Sequence, residues 1–140
     1  MIGRLDELNQ LERFYNSSKF EFLTMYGRRR IGKTTILREF AGRHKALFFS
    51  AQEKNDSLNL LDFSKMVQTF FEGSFISSFQ NWEAAFEYIT GKISDKKLVL
   101  IIDEFPFLAE PNPSIKSILQ HTIDHVWKGK NIFLILCGSS

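Results

Sequence analysis

Apolar residues recur along this chain with two periods, one typical of helices and one typical of strands. Near the amino terminus they follow helical spacing at Leu5, Leu8, Leu11 and Tyr15. A short aromatic-rich run over residues 20–26 ends at Gly27 and predicts a strand. Helical spacing returns over residues 34–40 and stops at Gly42. The first third of the chain therefore predicts a helix, a strand, a glycine loop and a second helix.

The same alternation continues through the middle of the chain. A second short strand is predicted over residues 46–50 and a helix over residues 57–71. The stretch 73–80 is rich in serine and glycine, which is typical of a loop. A shorter helix follows, and its apolar face is marked by Trp82, Ala85, Phe86 and Ile89.

The last part of the chain contains its most apolar run, residues 98–102. Such a run predicts a strand that is covered on both faces of a parallel sheet. Asn112 and Pro113 predict the cap and the first position of a helix that extends to Val126. Gly129 is expected to end that helix before a final strand over residues 131–137.

Strands that alternate with helices predict an α/β fold of three layers, with a mainly parallel sheet between two layers of helices. The length of 140 residues corresponds to one domain, so residues 1–140 are predicted to form a single unit. In open sheets of this class, ligands bind beyond the carboxyl ends of the strands. The candidate functional residues are therefore sought at that edge.

Composition excludes several classes of protein. A formal net charge of +2 does not by itself indicate a nucleic-acid or membrane partner. The single cysteine, Cys137, cannot form an internal disulfide bond and is predicted to be a small buried residue. No stretch is apolar enough to span a bilayer, and residues 1–7 lack the apolar segment of a signal peptide. We expect a cytoplasmic protein without a membrane partner.

The glycine loop carries the strongest functional signal, because its spacing is G-x-x-x-x-G-K-T between a predicted strand and a predicted helix. The glycines let backbone N–H groups approach a polyphosphate, and the helix offers its positive N-terminal end. Lys33 is expected to reach the β and γ phosphates, and Thr34 to ligate Mg²⁺. The residues predicted to bind the nucleotide here are Gly27, Arg28, Arg29, Arg30, Ile31, Gly32, Lys33, Thr34 and Thr35.

Two adjacent carboxylates, Asp103 and Glu104, follow the buried strand over residues 98–102. Asp103 is expected to hold Mg²⁺ through water, as the Walker-B aspartate does, and Glu104 to orient or polarise the attacking water as general base. Many strands end at solvated charges, so the pair is weak as an isolated signal. It gains weight because the glycine loop is expected at the same edge of the sheet. Lys33 and Glu104 are the predicted catalytic residues.

The sequence resembles the prokaryotic, largely archaeal-type ATPases of the AAA+/STAND branch of P-loop proteins. The stretches that carry the resemblance are residues 2–4 with 7–8, 26–34, 48–51, 101–105 and 137–140. They span nearly the whole chain. Their order matches this family better than kinases or GTPases, and the Asn-Lys-x-Asp motif that reads guanine is not in the sequence.

The resemblance implies further assignments. It places residues 2–4, and with them Gly3 and Arg4, near the adenine, and Ser139 or Ser140 at a sensor position after the fourth strand. It implies a P-loop NTPase fold that is truncated after the fourth core strand, without the fifth strand, the helical lid and the C-terminal domains of such proteins. The glycine-loop strand would then have one unpaired side, so this piece is expected to be marginally stable or to associate through that edge.

Three other groups of residues have competing interpretations. Three roles are open for Arg28, Arg29 and Arg30: contact with the triphosphate, contact with a nucleic-acid backbone, or a solvated or acid-paired position. His121 and His125 lie four apart on a predicted helix, as in zinc sites, but a solvated helix face is the simpler interpretation because no third ligand is evident. The aromatic residues between 70 and 86 would form a docking surface or, more simply, pack in the core.

The sequence therefore predicts a Mg²⁺-dependent ATPase that uses ATP and Mg²⁺ as its cofactors. The alternative is a nucleotide-dependent switch or binding module in which hydrolysis is negligible or occurs only in an assembly. A third hypothesis is a protein whose ATP site drives work on DNA or RNA. The partners expected are ATP, the absent C-terminal domains or another protein, and further copies in an oligomer.

Overall fold

The computed structural model of the chain describes residues 4–27 and 32–139, except for the side chain of Arg4. Its elements, in chain order, are α1 (Arg4–Asn16), β1 (Glu21–Gly27), α2 (Lys33–His44), β2 (Leu47–Ser50), α3 (Asp56–Glu72), α4 (Trp82–Thr90), β3 (Leu98–Asp103), α5 (Pro106–Ala109), α6 (Ser114–His125) and β4 (Ile132–Ser139). A 3₁₀ turn over Trp127–Gly129 precedes β4.

The four strands form one sheet in the order β1-β4-β3-β2, and all neighbouring strands are parallel. The two central strands, β3 and β4, are the apolar runs at 98–102 and 132–137, and their residues are almost all buried. This agrees with the rule that a parallel strand covered on both faces is continuously apolar. Among the described residues β1 pairs with β4 on one side and has no strand on the other, as the resemblance implied.

Alternation along β3 and β4 divides the core into two halves. Odd-numbered residues such as Ile101 and Ile135 face α1 and α2, and even-numbered residues such as Leu100 and Leu134 face α3, α4 and α6. The sheet is therefore the middle of three layers. This confirms the predicted three-layer α/β fold with a parallel sheet.

The aromatic residues around α3 and α4 mostly form core rather than a docking surface. Phe63, Trp82, Phe86 and Trp127 are buried and pack against one another edge-on or tilted. Trp82 Nε1 donates to Asp56 Oδ1 over 2.9 Å, so the indole enters the core without an unsatisfied N–H group. Phe70 is the exception, since 41% of it is exposed.

The predicted cap of α6 is wrong. The helix begins at Ser114 with Pro113 at the N-cap, and no side chain caps it. Asn112 instead donates its amide hydrogen to Asp56 Oδ1 over 3.2 Å, so tertiary contact replaces the local capping bond. Helix α6 ends at His125, one residue before the predicted Val126, and Gly129 ends the 3₁₀ turn that follows rather than the helix itself.

Two further observations concern membrane-spanning helices and the histidine pair. Among the described helices, none has the length and hydropathy needed to cross a membrane. His121 and His125 lie side by side on α6, with ring centroids 4.4 Å apart. Both residues are exposed. Within residues 4–27 and 32–139, no group of three His, Cys, Asp or Glu side chains is arranged to hold a metal ion.

Candidate active site

The carboxyl ends of β1, β4 and β3 lie side by side and bring the predicted residues to one edge of the sheet. Gly27, the last residue of β1, is in register with Ser139, the last residue of β4. Asp103, the last residue of β3, is in register with Ser50 on its other side. The end of the glycine-loop strand β1 is therefore separated from Asp103 by a single strand, β4.

The loop that leaves β1 enters α2 at Gly32, which has φ 78° and ψ 22°. This left-handed conformation is one that glycine adopts without a Cβ penalty. Gly32 has no side chain to cap the first N–H groups of α2, so these donors and the positive end of the helix dipole face the carboxyl edge of the sheet. The arrangement suits an anionic group. Arg28, Arg29, Arg30 and Ile31 lie outside the described residues, as do Gly3 and the side chain of Arg4.

Lys33 is the first residue of α2, and its side chain bends back over the strand ends. Nζ donates to the carbonyl oxygen of Gly27 over 3.0 Å and to that of Gly138 over 2.8 Å. An ammonium group has three N–H donors, so one remains for another acceptor. The lysine is thus held at the junction of β1 and β4, where the glycine loop begins.

Asp103 is only 7% exposed, and both of its carboxylate oxygens accept hydrogen bonds. As an odd-numbered residue of β3 it faces α2, and Oδ2 accepts from Thr34 Oγ1 over 3.2 Å. Oδ1 accepts from the backbone N–H of Glu104 over 2.9 Å and from Cys137 Sγ over 3.0 Å. Thr34 and Asp103, the two predicted Mg²⁺ ligands, are therefore adjacent.

The thiol of Cys137 is a neutral neighbour of this carboxylate. Burial raises the pKa of Cys137 above its ordinary value, and the hydrogen bond to Asp103 and the negative charge of Asp103 raise it further. Lys33 and a backbone hydrogen bond with Glu104 act in the opposite direction but do not offset these effects. The thiol keeps its proton at neutral pH and can donate a hydrogen bond to Asp103.

Glu104 has the left-handed backbone conformation, with φ 57°. A non-glycine residue in this region pays about 1 kcal/mol of backbone strain, which suggests a constrained turn. The turn sends the Glu104 side chain toward β4, where Oε1 accepts from the backbone N–H of Ser139 over 3.2 Å. The next residue, Phe105, fixes the turn by donating its N–H to the Cys137 carbonyl over 2.9 Å.

Two other residues predicted to contact the nucleotide, Ser139 and Thr35, also lie near this edge. Ser139 is partly exposed at the end of β4. Thr35 is exposed in the first turn of α2. Ser140, the alternative sensor residue, lies outside the described residues.

The sequence did not predict two close approaches at this site. One is the contact between Cys137 and Asp103. The other involves Gly138, where an added Cβ would lie 2.7 Å from Pro106 Cδ and 3.2 Å from a ring carbon of Tyr26. The available signal was alternation along β4, which places Cys137 on the same face as Phe133 and Ile135. Alternation alone does not give the register between β3 and β4.

A separate cavity of about 690 Å³ lies at the opposite, amino-terminal edge of the sheet. Its lining includes Lys19, Asp95, Lys130 and Asn131. It contains none of the motif residues. In open parallel sheets, ligands bind at the carboxyl edge, so we assign the candidate site there.

Comparison with known proteins identifies the family. Residues 1–140 match the family described as an ATPase domain predominantly from Archaea. This chain belongs to that family. The archaeal-type P-loop resemblance of the sequence is thereby confirmed, and ATP binding and ATPase activity are supported at the level of the family.

Two curated relatives come from Methanocaldococcus jannaschii. An uncharacterized protein is 32% identical over 139 residues, which are 99% of this chain and 29% of that protein. An uncharacterized ATP-binding protein is 41% identical over 44 residues, which are 31% of this chain and 75% of that protein. This chain therefore spans less than a third of the length of the first relative.

The solved structure of Cdc6p from Pyrobaculum aerophilum is similar over 98% of this chain and 39% of that chain, with a TM-score of 0.62 and 19% identity. At this identity the similarity concerns the fold. It confirms the three-layer P-loop fold, with the same kind of parallel sheet.

Proposed function

We propose that this chain binds ATP together with Mg²⁺ and hydrolyses the bond between the β and γ phosphates. The observation that carries the proposal is the 3.2 Å contact between Thr34 Oγ1 and Asp103 Oδ2. It joins the start of the helix after the glycine loop to the end of β3. The family of ATPase domains and the relative named as an ATP-binding protein support the nucleotide.

The phosphate-binding part of the proposal rests on Lys33 and the start of α2. Lys33 is held beside the loop by two carbonyl groups and retains one N–H donor for a phosphate oxygen. The N–H groups at the start of α2 and the helix dipole favour a negative group at the same place. Gly27 and Gly32 leave room for close approach of the backbone.

Thr34 and Asp103 fit Mg²⁺ chemically, because a hydroxyl and a carboxylate are hard oxygen donors. Asp103 contributes one negative charge, and a site of this kind leaves most coordination positions to water and phosphate oxygens. When bound, the ion would neutralise charge on the β and γ phosphates. We propose that these two side chains hold it.

Glu104 is proposed as the general base. Its carboxylate lies at the end of β4, beside the edge where the phosphates would sit, and it would orient a water molecule and accept the proton as the oxygen attacks. In the described conformation Oε1 is hydrogen-bonded to the Ser139 N–H. Catalysis requires that the carboxylate also accept a hydrogen bond from the attacking water, for which it has further acceptor sites.

The same hydrogen bond favours the second candidate, a nucleotide-dependent switch with little intrinsic hydrolysis. If the bond to the Ser139 amide holds the Glu104 carboxylate out of reach of the attacking water, ATP binding would order the site without activating that water. A nucleic-acid partner, an oligomer, the adenine contacts of Gly3 and Arg4, and the sensor role of Ser139 stay predictions. The Cdc6p similarity, at 19% identity, bears on the fold alone.

The deciding experiment is thermal melting with and without Mg²⁺-ATP for the wild type, Lys33→Ala and Lys96→Ala. Lys96 is an exposed lysine in the turn before β3, at the opposite end of the sheet, so its variant matches the change of charge. At 100 times Kd, a ligand that binds only the folded state stabilises it by about 2.7 kcal/mol. We expect this stabilisation in the wild type and Lys96→Ala and its loss in Lys33→Ala.

Phosphate release measured on the same samples separates the two functions. Release that depends on Lys33 supports the ATPase, and Lys33-dependent stabilisation without release supports the switch. If Mg²⁺-ATP stabilises neither the wild type nor Lys96→Ala, or stabilises all three proteins equally, the proposed nucleotide site is wrong.

A further inference from the structure

Cys137 is the residue of β4 that reaches across to the end of β3. It is 1% exposed, and it continues the row of Phe133 and Ile135 on the face that packs against α1 and α2. The other buried side chains of that row on β3 and β4 are the apolar Val99 and Ile101 and the charged Asp103. The thiol of Cys137 is therefore placed against the one carboxylate of this face, 3.0 Å from Oδ1.

The hydrogen bonds of Asp103 differ between its two oxygens. Oδ1 accepts from the Glu104 N–H and from the Cys137 thiol. Oδ2 accepts from Thr34, which is exposed to solvent at the mouth of the site. The donors from Glu104 and Cys137 hold Oδ1 on their side, and Oδ2 consequently faces Thr34.

We propose that Cys137 is a positioning residue for Asp103, and that its thiol fixes the rotation of the carboxylate so that Oδ2 is presented to a divalent cation beside Thr34. The cation part of this inference rests on the proposed function. Without the thiol, the hydrogen bond left to Oδ1 would be that from the Glu104 N–H, which belongs to the neighbouring residue of the same turn. The carboxylate would then have no anchor on β4 and could rotate.

The donor chemistry of a thiol suits this role. A thiol is a weak donor, so it orients the carboxylate while withdrawing less negative charge from it than a stronger donor would. Partners of metal ligands commonly act in this way, and their loss costs about tenfold or more in metal affinity. Cys137 is not itself placed to touch the nucleotide or the cation.

Packing is the competing explanation, because cysteine is also a small apolar residue. Two substitutions of similar size separate the explanations. Cys137→Val keeps the apolar character, with a slightly larger side chain, and removes the donor, whereas Cys137→Ser keeps a donor and loses apolar character. Packing predicts that valine replaces cysteine better than serine does, and positioning predicts the reverse order for cation binding.

The first measurement is the infrared S–H stretching band, which reports a single site because the chain has one cysteine. A thiol that donates to a carboxylate absorbs at lower frequency than a free thiol. We expect the band of the wild type to move to higher frequency in Asp103→Ala and to a lesser extent in Asp103→Asn. An identical band in the wild type and Asp103→Ala would overturn the proposal.

The second measurement is nucleotide affinity with and without Mg²⁺, by calorimetry, for the wild type, Cys137→Ser and Cys137→Val. We expect Cys137→Val to lose about tenfold of the Mg²⁺-dependent gain in affinity and to keep its Mg²⁺-free affinity. Cys137→Ser should retain most of the gain. Melting curves without nucleotide identify any variant that is not folded. For such a variant, the infrared comparison of the wild type with Asp103→Ala decides whether the thiol orients Asp103.

The two proposals fail in different ways. If the wild type binds nucleotide with a Lys33-dependent gain from Mg²⁺ but Cys137→Val has the same gain, the positioning role is wrong and the proposed function stands. If the wild type binds no nucleotide, the proposed function and the cation part fail together, while the infrared band still decides whether the thiol orients Asp103.

Discussion

Lys33 and Gly138 are 105 residues apart in the chain, yet Lys33 Nζ donates a hydrogen bond to the Gly138 carbonyl over 2.8 Å. A second bond from Nζ to the carbonyl of Gly27 completes a link between the ends of β4 and β1. The position of the ammonium group is therefore set by the pairing of two strands. A lysine fixed in this way loses less conformational freedom when a phosphate binds.

This geometry predicts that charge is not sufficient at position 33. Lys33→Arg keeps the positive charge, but the planar guanidinium cannot reproduce a compact ammonium between two carbonyl groups. We expect Lys33→Arg to lose most of the stabilisation by Mg²⁺-ATP in thermal melting. Lys96→Arg, at the opposite end of the sheet, should behave as the wild type. Full stabilisation of Lys33→Arg would contradict the inferred role of the two carbonyl groups.

Thr34 gives a second prediction, for the cation. Thr34→Val preserves the shape of the side chain and removes the hydroxyl that faces Asp103 Oδ2. We expect it to reduce the Mg²⁺-dependent gain in nucleotide affinity by at least about tenfold, and Thr34→Ser to restore it. Calorimetric titration with and without Mg²⁺ measures this gain. Thr69→Val, an exposed position on α3, is the matched control.

Glu104 gives a third prediction, which separates binding from hydrolysis. Glu104→Gln retains the size of the side chain and removes the base, so phosphate release should fall by about a hundredfold or more. Stabilisation by Mg²⁺-ATP should persist, because the phosphate-binding groups are on α2 and β1. Glu87→Gln, exposed on α4, controls for the loss of a surface charge. Unchanged phosphate release in Glu104→Gln would remove Glu104 from the proposed chemistry.

Gly138 gives a prediction about stability. An added Cβ would lie 2.7 Å from Pro106 Cδ, so Gly138→Ala must displace either β4 or the start of α5. We expect destabilisation of about 1–3 kcal/mol, measured by denaturant unfolding. Gly42→Ala is the contrasting control, because a Cβ there meets no described atom within 4 Å outside its own helix, and it should stabilise α2 by about 0.5–1 kcal/mol.

A double-mutant cycle tests the named contact behind the Gly138 prediction. If Pro106 is the obstacle, Gly138→Ala should cost less when combined with Pro106→Ala than it costs in the wild type. Additive effects of the two substitutions would mean that the strain lies elsewhere, for example at Tyr26.

The sequence was sufficient for the parts of this site that depend on local patterns. The spacing of Gly27, Gly32 and Lys33 between a strand and a helix predicted the loop, and the apolar run before Asp103 predicted a buried strand that ends at the same edge. That Asp103 faces α2 was not predicted, because alternation along a strand does not tell which helix covers which face. The fold class followed from the order of these elements.

Other features depend on register and close packing, which a single sequence does not determine. The contact of Cys137 with Asp103 requires β3 and β4 to be paired with one particular offset. Asn112 had a good local capping pattern, but Asp56 offered a tertiary partner. The turn at Glu104 and the four-residue helix α5 lack any distinctive spacing, and they are fixed by bonds such as that from the Phe105 N–H to the Cys137 carbonyl.

A final prediction concerns Tyr88, which donates to Glu72 Oε2 over 2.7 Å while Lys92 donates to the same oxygen over 3.0 Å. Burial, the hydrogen bond and the negative charge of Glu72 raise the pKa of Tyr88 to about 12. The unfolded phenol titrates near 10, so between about pH 10 and 12 the unfolded state binds fewer protons and the free energy of unfolding falls as pH rises. Tyr88→Phe should remove this dependence. The difference in tyrosinate absorbance between the wild type and Tyr88→Phe gives the titration midpoint of Tyr88 directly. Glu72→Gln should lower this midpoint. A midpoint near 10 in the folded wild type would mean that the hydrogen bond from Tyr88 to Glu72 does not form in solution.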